Sequence, residues 1–308
     1  MKIAIFGAGG VGGYFGARLA AGGADVHLVA RGSHLRALRD VGLRVRSVNG
    51  DMDVELPAVE DPSAIGPCDV VLFCVKATDT LAAAETLSPL ITTGTAVVTL
   101  QNGVDNEEKI AEVIGPSHTV GGVAYILATI AEPGVIAHEG SLARMIFGEL
   151  DGSASDRLKA LLAICGDAGI DAELSLDIRV ALWTKYAMIC ATAGMTAAVR
   201  LPLGEIRASP AALVLYRRIL EEVVAVAGAE GVALAETTVD TIMERLASFP
   251  GEWTSSLHYD LTHAKPMELD TLHGTVVARA ASHGIPVPVC EAIYGVLEPW
   301  AIRNLAAK

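Results

Sequence analysis

Positive charge is scarce in this chain. Its 308 residues include 23 Lys or Arg against 36 Asp or Glu, a net charge of −13. A nucleic-acid binder must cover several phosphates with a basic face, and this sequence offers only scattered arginines such as Arg31, Arg36, Arg39, Arg44 and Arg46. Nucleic acid is therefore excluded as a partner. Cysteine is also sparse: the five, at 68, 74, 165, 190 and 290, form no C-x-x-C pair, and most lie in apolar runs. They read as reduced core thiols rather than a disulfide framework or a zinc site. The histidines lack ligand spacing, since His258 and His263 stand five apart and do not share a helix face, so no metal is expected. No apolar run reaches bilayer-spanning length; even Tyr186 to Val199 falls short. Met1-Lys2 leads straight into a strand-like run without a cleavage-type signal region, which reads as a cytoplasmic protein with no membrane partner.

What the chain does have is apolar substance: 52% hydrophobic residues, few of them aromatic, as in a large packed core. In the first half, "KIAIFGAG", "DVHLVAR", "DVVLFCVK" and "TAVVTLQNG" read as buried strands. Between them lie helical stretches such as "GYFGARLAAGG", "TLAAAETLSPLI" and "NEEKIAEVIG". This alternation predicts right-handed crossovers and a parallel sheet covered on both faces. Residues 43–59 alternate around an Asn-Gly and predict a hairpin, and further strands follow before a helix ending at Gly169. From Asp177 the pattern is helical over 178–199, 210–228, 236–248, 255–264, 267–283 and 288–304, punctuated by prolines and glycines. The fold class expected is thus an α/β Rossmann-type N-terminal domain, 1–176, followed by an all-α C-terminal domain, 177–308.

The first strand opens into "GAGGVGGYFGARLA", with Gly7, Gly9 and Gly12 in the G-x-G-x-x-G pattern. The pattern provides a tight turn, close backbone approach to a pyrophosphate, and close packing of helix on strand, with the helix N-terminus receiving the anion. Gly7, Gly9, Gly10, Val11 and Gly12 are the candidate cofactor contacts. An acidic residue ending the second strand would bond the ribose hydroxyls of NAD; this chain has Arg31 there instead. A guanidinium can pair with a 2′-phosphate, so NADPH is the expected cofactor, with Ser33 and His34 as further hydrogen-bonding candidates. Lys76 and Asn102 close the third and fourth strands, at the sheet edge where α/β ligands bind, and together suggest a nicotinamide and substrate rim.

One residue resists the structural reading. "RVALWTKYAMICATAGMTAAVR", residues 179–200, carries a single internal charge, Lys185, in an otherwise apolar helix pattern. It is either a lysine snorkelling at the edge of a core helix or one held there by a task.

"GAGGVGG", "VK" at 75–76, "QNG" at 101–103, "GVIAHEGSLARMIFGEL" at 134–150, "WTK" at 183–185, "TSSLHYD" at 254–260 and "ELD" at 268–270 resemble, in order and spacing, the ketopantoate reductases (2-dehydropantoate 2-reductases). The resemblance implies NADPH-dependent reduction of a 2-oxo acid in pantothenate biosynthesis, at a cleft between a Rossmann-type domain and a helical one. It makes Lys185 the general acid and Glu268 the carboxylate that orients substrate and lysine. Ser256 becomes a substrate-binding hydroxyl, and Asn102 and Lys76 lie around the nicotinamide and the reacting carbonyl. The family usually carries asparagines four and eight residues after the lysine; here Ile189 and Ala193 stand at those substrate-wall positions, with Thr192 and Thr196 near enough to substitute in part. A less polar wall implies either a less polar or differently shaped 2-oxo acid or a slow ketopantoate reductase. Two alternatives accompany this reading: a dehydrogenase running oxidatively, and a catalytically silent dinucleotide sensor. The apolar "AALVLYRRILEEVVAVAGAEG" could serve a homodimer surface or internal core.

Overall fold

The computed structural model describes residues 1–306 and divides into two compact units. The first comprises residues 1–101 and 106–181, the second residues 102–105 and those from Leu182 onward. Among the described residues, no helix is long and apolar enough to cross a membrane.

The first unit is built on a mixed ten-stranded sheet. Its strands are β1 (Lys2–Phe6), β2 (Asp25–Val29), β3 (Leu43–Ser47), β4 (Met52–Val54), β5 (Ala58–Val59), β6 (Val70–Phe73), β7 (Ala96–Thr99), β8 (Thr119–Glu132), β9 (Val135–Glu149) and β10 (Asp171–Leu174). They lie in the order β4-β3-β9-β8-β7-β6-β1-β2-β5, with β10 beside β9. Its helices are α1 (Gly10–Ala21), α2 (Gly32–Val41), α3 (Thr80–Ala84), α4 (Asn106–Ile114) and α5 (Asp156–Asp167). The strands β2, β1, β6, β7 and β8 run parallel, as their apolar runs predict. Alternate residues feed opposite faces. Ile3, Ile5, Leu28, Leu72 and Val98 pack with Tyr14, Phe15 and Leu19 of α1, while Ala4, Phe6, Val29, Val71 and Phe73 pack with Leu87, Leu90 and Ile110.

The sheet departs from the expected parallel form at β8 and β9, a long antiparallel hairpin turning at Gly134. Only the first part of 43–59 makes the expected hairpin: β3 and β4 pair antiparallel, but after Pro57 the chain leaves, and Ala58–Val59 joins β2 as a parallel edge. A proline has no N–H to continue the ladder. Two elements escaped the sequence pattern, α2 and β10, both short and half exposed. The expected 80s helix shrinks to the five residues of α3 with 3-10 turns on either side, one of them at Ser88–Leu90, where Pro89 sits in its first turn.

The second unit is helical: the body of α6 (Ile178–Val199), then α7 (Leu203–Ala208), α8 (Pro210–Ala229), α9 (Thr238–Ser248), α10 (Ser256–Thr262), α11 (Thr275–His283) and α12 (Pro288–Ala306). On α8, Tyr216, Ile219, Leu220, Val223 and Val226 form a buried stripe, so most of that apolar pattern is internal core, with Val214 and Leu215 left exposed. Glu222 points inward from the same helix and accepts from the N–H groups of Val289 and Cys290 at 2.9 and 2.8 Å, capping α12. The helix expected over 267–283 is not continuous. Residues 265–268 are irregular, Asp270–Gly274 forms a π turn, and only then does α11 begin. The sequence also gave no warning of α7, which is only six residues long.

Candidate functional site

The glycine turn is shaped by contacts that exclude side chains. Gly7 has φ +99, and a Cβ on it would lie 2.9 Å from the Cys74 carbonyl carbon. A Cβ on Gly12 would lie 2.3 Å from the Gly7 oxygen, so helix α1 packs directly on the turn. Gly10 is required for another reason: its Cβ would fall 2.0 Å from the Ala128 oxygen on β8. Gly9 differs from all three. It caps α1 without a side-chain bond, and nothing lies within 4 Å of where its Cβ would project. The space beside this N-cap is open, and the first-turn N–H groups of a helix can receive an anionic group there. The residues present therefore fit a dinucleotide pyrophosphate.

The carboxyl ends of the strands on either side of β1 bring the next two candidates to the same edge. Arg31 follows β2 and caps α2. Its side chain is 81% exposed, and its Nη2 donates to Asp79 Oδ2 at 2.5 Å. Asp79 ends the 3-10 turn Ala77–Asp79 that follows the exposed Lys76 at the end of β6. His34 does not join them as a cofactor donor. Its Nε2 is 2.8 Å from the Ala8 oxygen, and its Nδ1 accepts from the Gly134 N–H at 3.1 Å. Burial lowers its pKa, so it serves as a neutral brace between the glycine turn and the β8–β9 hairpin. Ser33 is exposed.

Gln101 was missed as a site-building residue. It is 7% exposed, accepts from Thr99 Oγ1 at 2.9 Å, and donates from Nε2 to the Val75 oxygen at 3.1 Å and Thr80 Oγ1 at 2.8 Å. Thr80 in turn donates to Asn106 Oδ1 at 3.1 Å. This network fixes the loop that carries Lys76. In sequence it showed only as the first residue of "QNG" at a strand end, with no sign of the network it builds.

In the second unit, Lys185 lies on α6 at 9% exposure among Leu182, Trp183, Tyr186 and Ala187. Its Nζ donates to Asn102 Oδ1 at 2.8 Å. Burial pulls its pKa down to about 8, and the Glu268 carboxylate opposes that fall. Glu268 is half-buried in the irregular segment before the π turn. Lys185 thus bonds Asn102 and is acted on by the Glu268 carboxylate, in surroundings that weaken its hold on its proton.

Ile189 and Ala193 continue the Lys185 face, half-buried and buried respectively. The threonines do not make up for the missing asparagines. Thr192 shares its hydroxyl with Tyr216 at 2.8 Å, while Thr196, fully buried, bonds the Thr192 oxygen and Ser255 Oγ at 2.7 Å each. Both are spent inside the helical core. Ser255 accepts from the His258 N–H at 3.0 Å and so caps α10, which leaves Ser256 as that helix's first, exposed residue.

The family profile described as Ketopantoate reductase PanE/ApbA matches residues 3–152, and that of its C-terminal domain matches residues 177–300. The 2-dehydropantoate 2-reductase of Halobacterium salinarum is 32% identical over 291 residues, 94% of this chain and 95% of that protein. A crystal structure of a PanE/ApbA family ketopantoate reductase from Ralstonia eutropha JMP134 superposes with a TM-score of 0.91 at 34% identity, covering 99% of this chain and all of that one. A D-mandelate dehydrogenase bound to NADH and anilino(oxo)acetate superposes equally well, TM-score 0.91 over 99% of this chain and 100% of that one, but at 22% identity, a likeness of fold alone. The chain belongs to the ketopantoate reductase family and is an NAD(P)-dependent oxidoreductase of the 2-oxo acid type.

Proposed function

We propose that this enzyme uses NADPH to reduce a 2-oxo acid to the 2-hydroxy acid, with Lys185 as the proton donor. Residues 1–176 act as the cofactor domain and 177–308 as the substrate and catalytic domain. The observation that carries the reading is the state of Lys185: buried, bonded to Asn102, faced by Glu268, and with a pKa near 8. A proton donor works best when its pKa lies close to the operating pH.

Gly7, Gly9, Gly10, Val11 and Gly12 hold the pyrophosphate, and Arg31 exchanges Asp79 for the 2′-phosphate of NADPH. Reduced nicotinamide, when bound, supplies the hydride. As negative charge grows on the carbonyl oxygen, the Lys185 ammonium stabilises it and gives up a proton from Nζ. Glu268 keeps the amine protonated before that moment. Asn102 orients the ammonium through its side-chain oxygen, which accepts one N–H bond of Nζ. Ser256 offers the substrate a hydroxyl, and Lys76 belongs to the nicotinamide rim of the cofactor domain.

Ile189 and Ala193, with Thr192 and Thr196 engaged elsewhere, give an apolar wall. An apolar wall favours a 2-oxo acid with a hydrocarbon or aryl side chain over hydroxylated ketopantoate, because it offers the hydroxyl no partner. Steady-state oxidation of NADPH and NADH across a panel of 2-oxo acids tests this. A kcat/KM higher with NADPH, and higher for phenyl- or branched-chain 2-oxo acids than for ketopantoate, is expected; preference for ketopantoate would overturn the substrate reading. Absence of turnover with every 2-oxo acid would favour a dinucleotide sensor.

A further inference from the structure

Helix α6 carries two neighbouring stripes. Lys185, Ile189 and Ala193 repeat at every fourth residue, and Tyr186, Cys190 and Gly194 repeat one position further on. The second stripe takes no part in proton transfer, yet it meets the π turn Asp270–Gly274. Tyr186, 1% exposed, donates its hydroxyl to the Leu272 oxygen at 2.5 Å and lies 3.1 Å from the Thr271 oxygen. Gly194 leaves the space that His273 fills, since a Cβ there would lie 2.4 Å from Nε2. His273 is fully buried, and burial, opposed by the Cys190 carbonyl, lowers its pKa to about 4, so the ring packs uncharged.

A π turn bonds each N–H five residues back, which widens the helix and displaces carbonyls from their usual donors. A buried carbonyl needs a donor. Here the Tyr186 hydroxyl supplies one, and the turn it serves begins two residues after Glu268. The Glu268 carbonyl itself accepts from the Leu272 N–H at 3.1 Å, so the same residue is bonded on one side to Glu268 and on the other to Tyr186.

We infer that Tyr186 is a positioning residue: by fastening the π turn to α6 one residue along from Lys185, it sets how closely the Glu268 carboxylate faces the Lys185 ammonium. The inference rests on Lys185 being the proton donor. Glu268 is the carboxylate that acts on Lys185; Asp105 and Cys190 face the Tyr186 hydroxyl, and Asp270 accepts from the Tyr294 hydroxyl at 2.8 Å. A nearby carboxylate raises a lysine's pKa, so a slack π turn lowers it, and activity that needs protonated Lys185 then fails at lower pH.

The test is Tyr186→Phe, alone and combined with Glu268→Gln, read by the pH profile of kcat and by NMR titration of [ε-13C]lysine-labelled protein. Tyr186→Phe is expected to move the falling limb and the Lys185 titration in the acid direction and to lower kcat about tenfold, with NADPH affinity unchanged within about twofold. In the Glu268→Gln background it should add no further shift. Incorporating 4-aminophenylalanine at 186 restores a donor and should restore the wild-type limb; it is also the second variant should phenylalanine not fold. A wild-type titration in Tyr186→Phe, an added shift in the double variant, or a displaced limb with 4-aminophenylalanine would overturn the inference. If no 2-oxo acid is turned over, the proton-donor reading fails, while the NMR titration still decides whether Tyr186 governs the Lys185–Glu268 coupling.

Discussion

The two units prepare for chemistry in opposite ways. In the first, the proposed cofactor cradle is backbone: Gly7, Gly10 and Gly12 are glycine because backbone carbonyl groups stand where a Cβ would go, while the space beside Gly9 is open. In the second, the proposed working groups are side chains, Lys185 on helix α6 with its partners Asn102 and Glu268. A backbone site tolerates no change of residue at its tight positions but is indifferent to protonation. A side-chain site tolerates a change of shape better than a change of charge. The difference predicts which measurements each unit will answer to.

The largest effect should come from the second unit. Lys185→Ala should lower kcat by about 10²–10⁴-fold, the range expected on removing a general acid, while leaving NADPH affinity nearly intact. Stopped-flow oxidation of bound cofactor against a separate fluorescence titration of affinity would check it. Near-normal turnover would remove the lysine from the mechanism and erase the contrast between the units.

Gly12→Ala in the first unit should do the reverse. A methyl 2.3 Å from the Gly7 oxygen must push helix from turn, an overpacking cost of about 1–3 kcal/mol. Cofactor affinity and melting temperature should both fall, with the Lys185 titration unmoved. Calorimetric binding and thermal melting test this directly.

A smaller effect is expected at Arg31. Its side chain is exposed and already paired with Asp79, so its worth is tempered by solvent. Arg31→Ala should weaken NADPH about tenfold, the value of one charge-assisted phosphate contact, and leave NADH affinity unchanged. Equal losses for both cofactors would mean that Arg31 does not read the 2′-phosphate.

The same contrast explains what the sequence disclosed. A backbone site leaves its mark directly where only glycine satisfies the geometry, as at Gly7 and Gly12, and the spacing of Gly7, Gly9 and Gly12 after an apolar strand was readable at once. Five of the six expected C-terminal helices were equally plain, and only that over 267–283 proved broken. Side-chain partnerships were not. Arg31 and Asp79 are 48 residues apart, and nothing local announces that they meet. Helical spacing placed Thr192 and Thr196 near the lysine's face but could not say that Tyr216 and Ser255 would claim their hydroxyls. His34 was likewise legible as a polar residue near the cofactor strand, but not as a brace for Ala8 and Gly134. The π turn was hidden because residues 267–283 keep an unbroken helical pattern; a π turn inserts its extra residue without changing the residue types.

Protonation gives the most direct access to the central claim. With a pKa of about 8, Lys185 is mostly charged at neutral pH, so reduction should proceed at full rate below that value and decline as the amine loses its proton above it. The oxidative direction needs the neutral amine and should rise with pH over the same interval. Measuring kcat for both directions from pH 6 to 10 is the decisive experiment: the account predicts limbs of opposite slope crossing near pH 8 and absent from Lys185→Ala, and flat profiles, or limbs that survive in that variant, would contradict it.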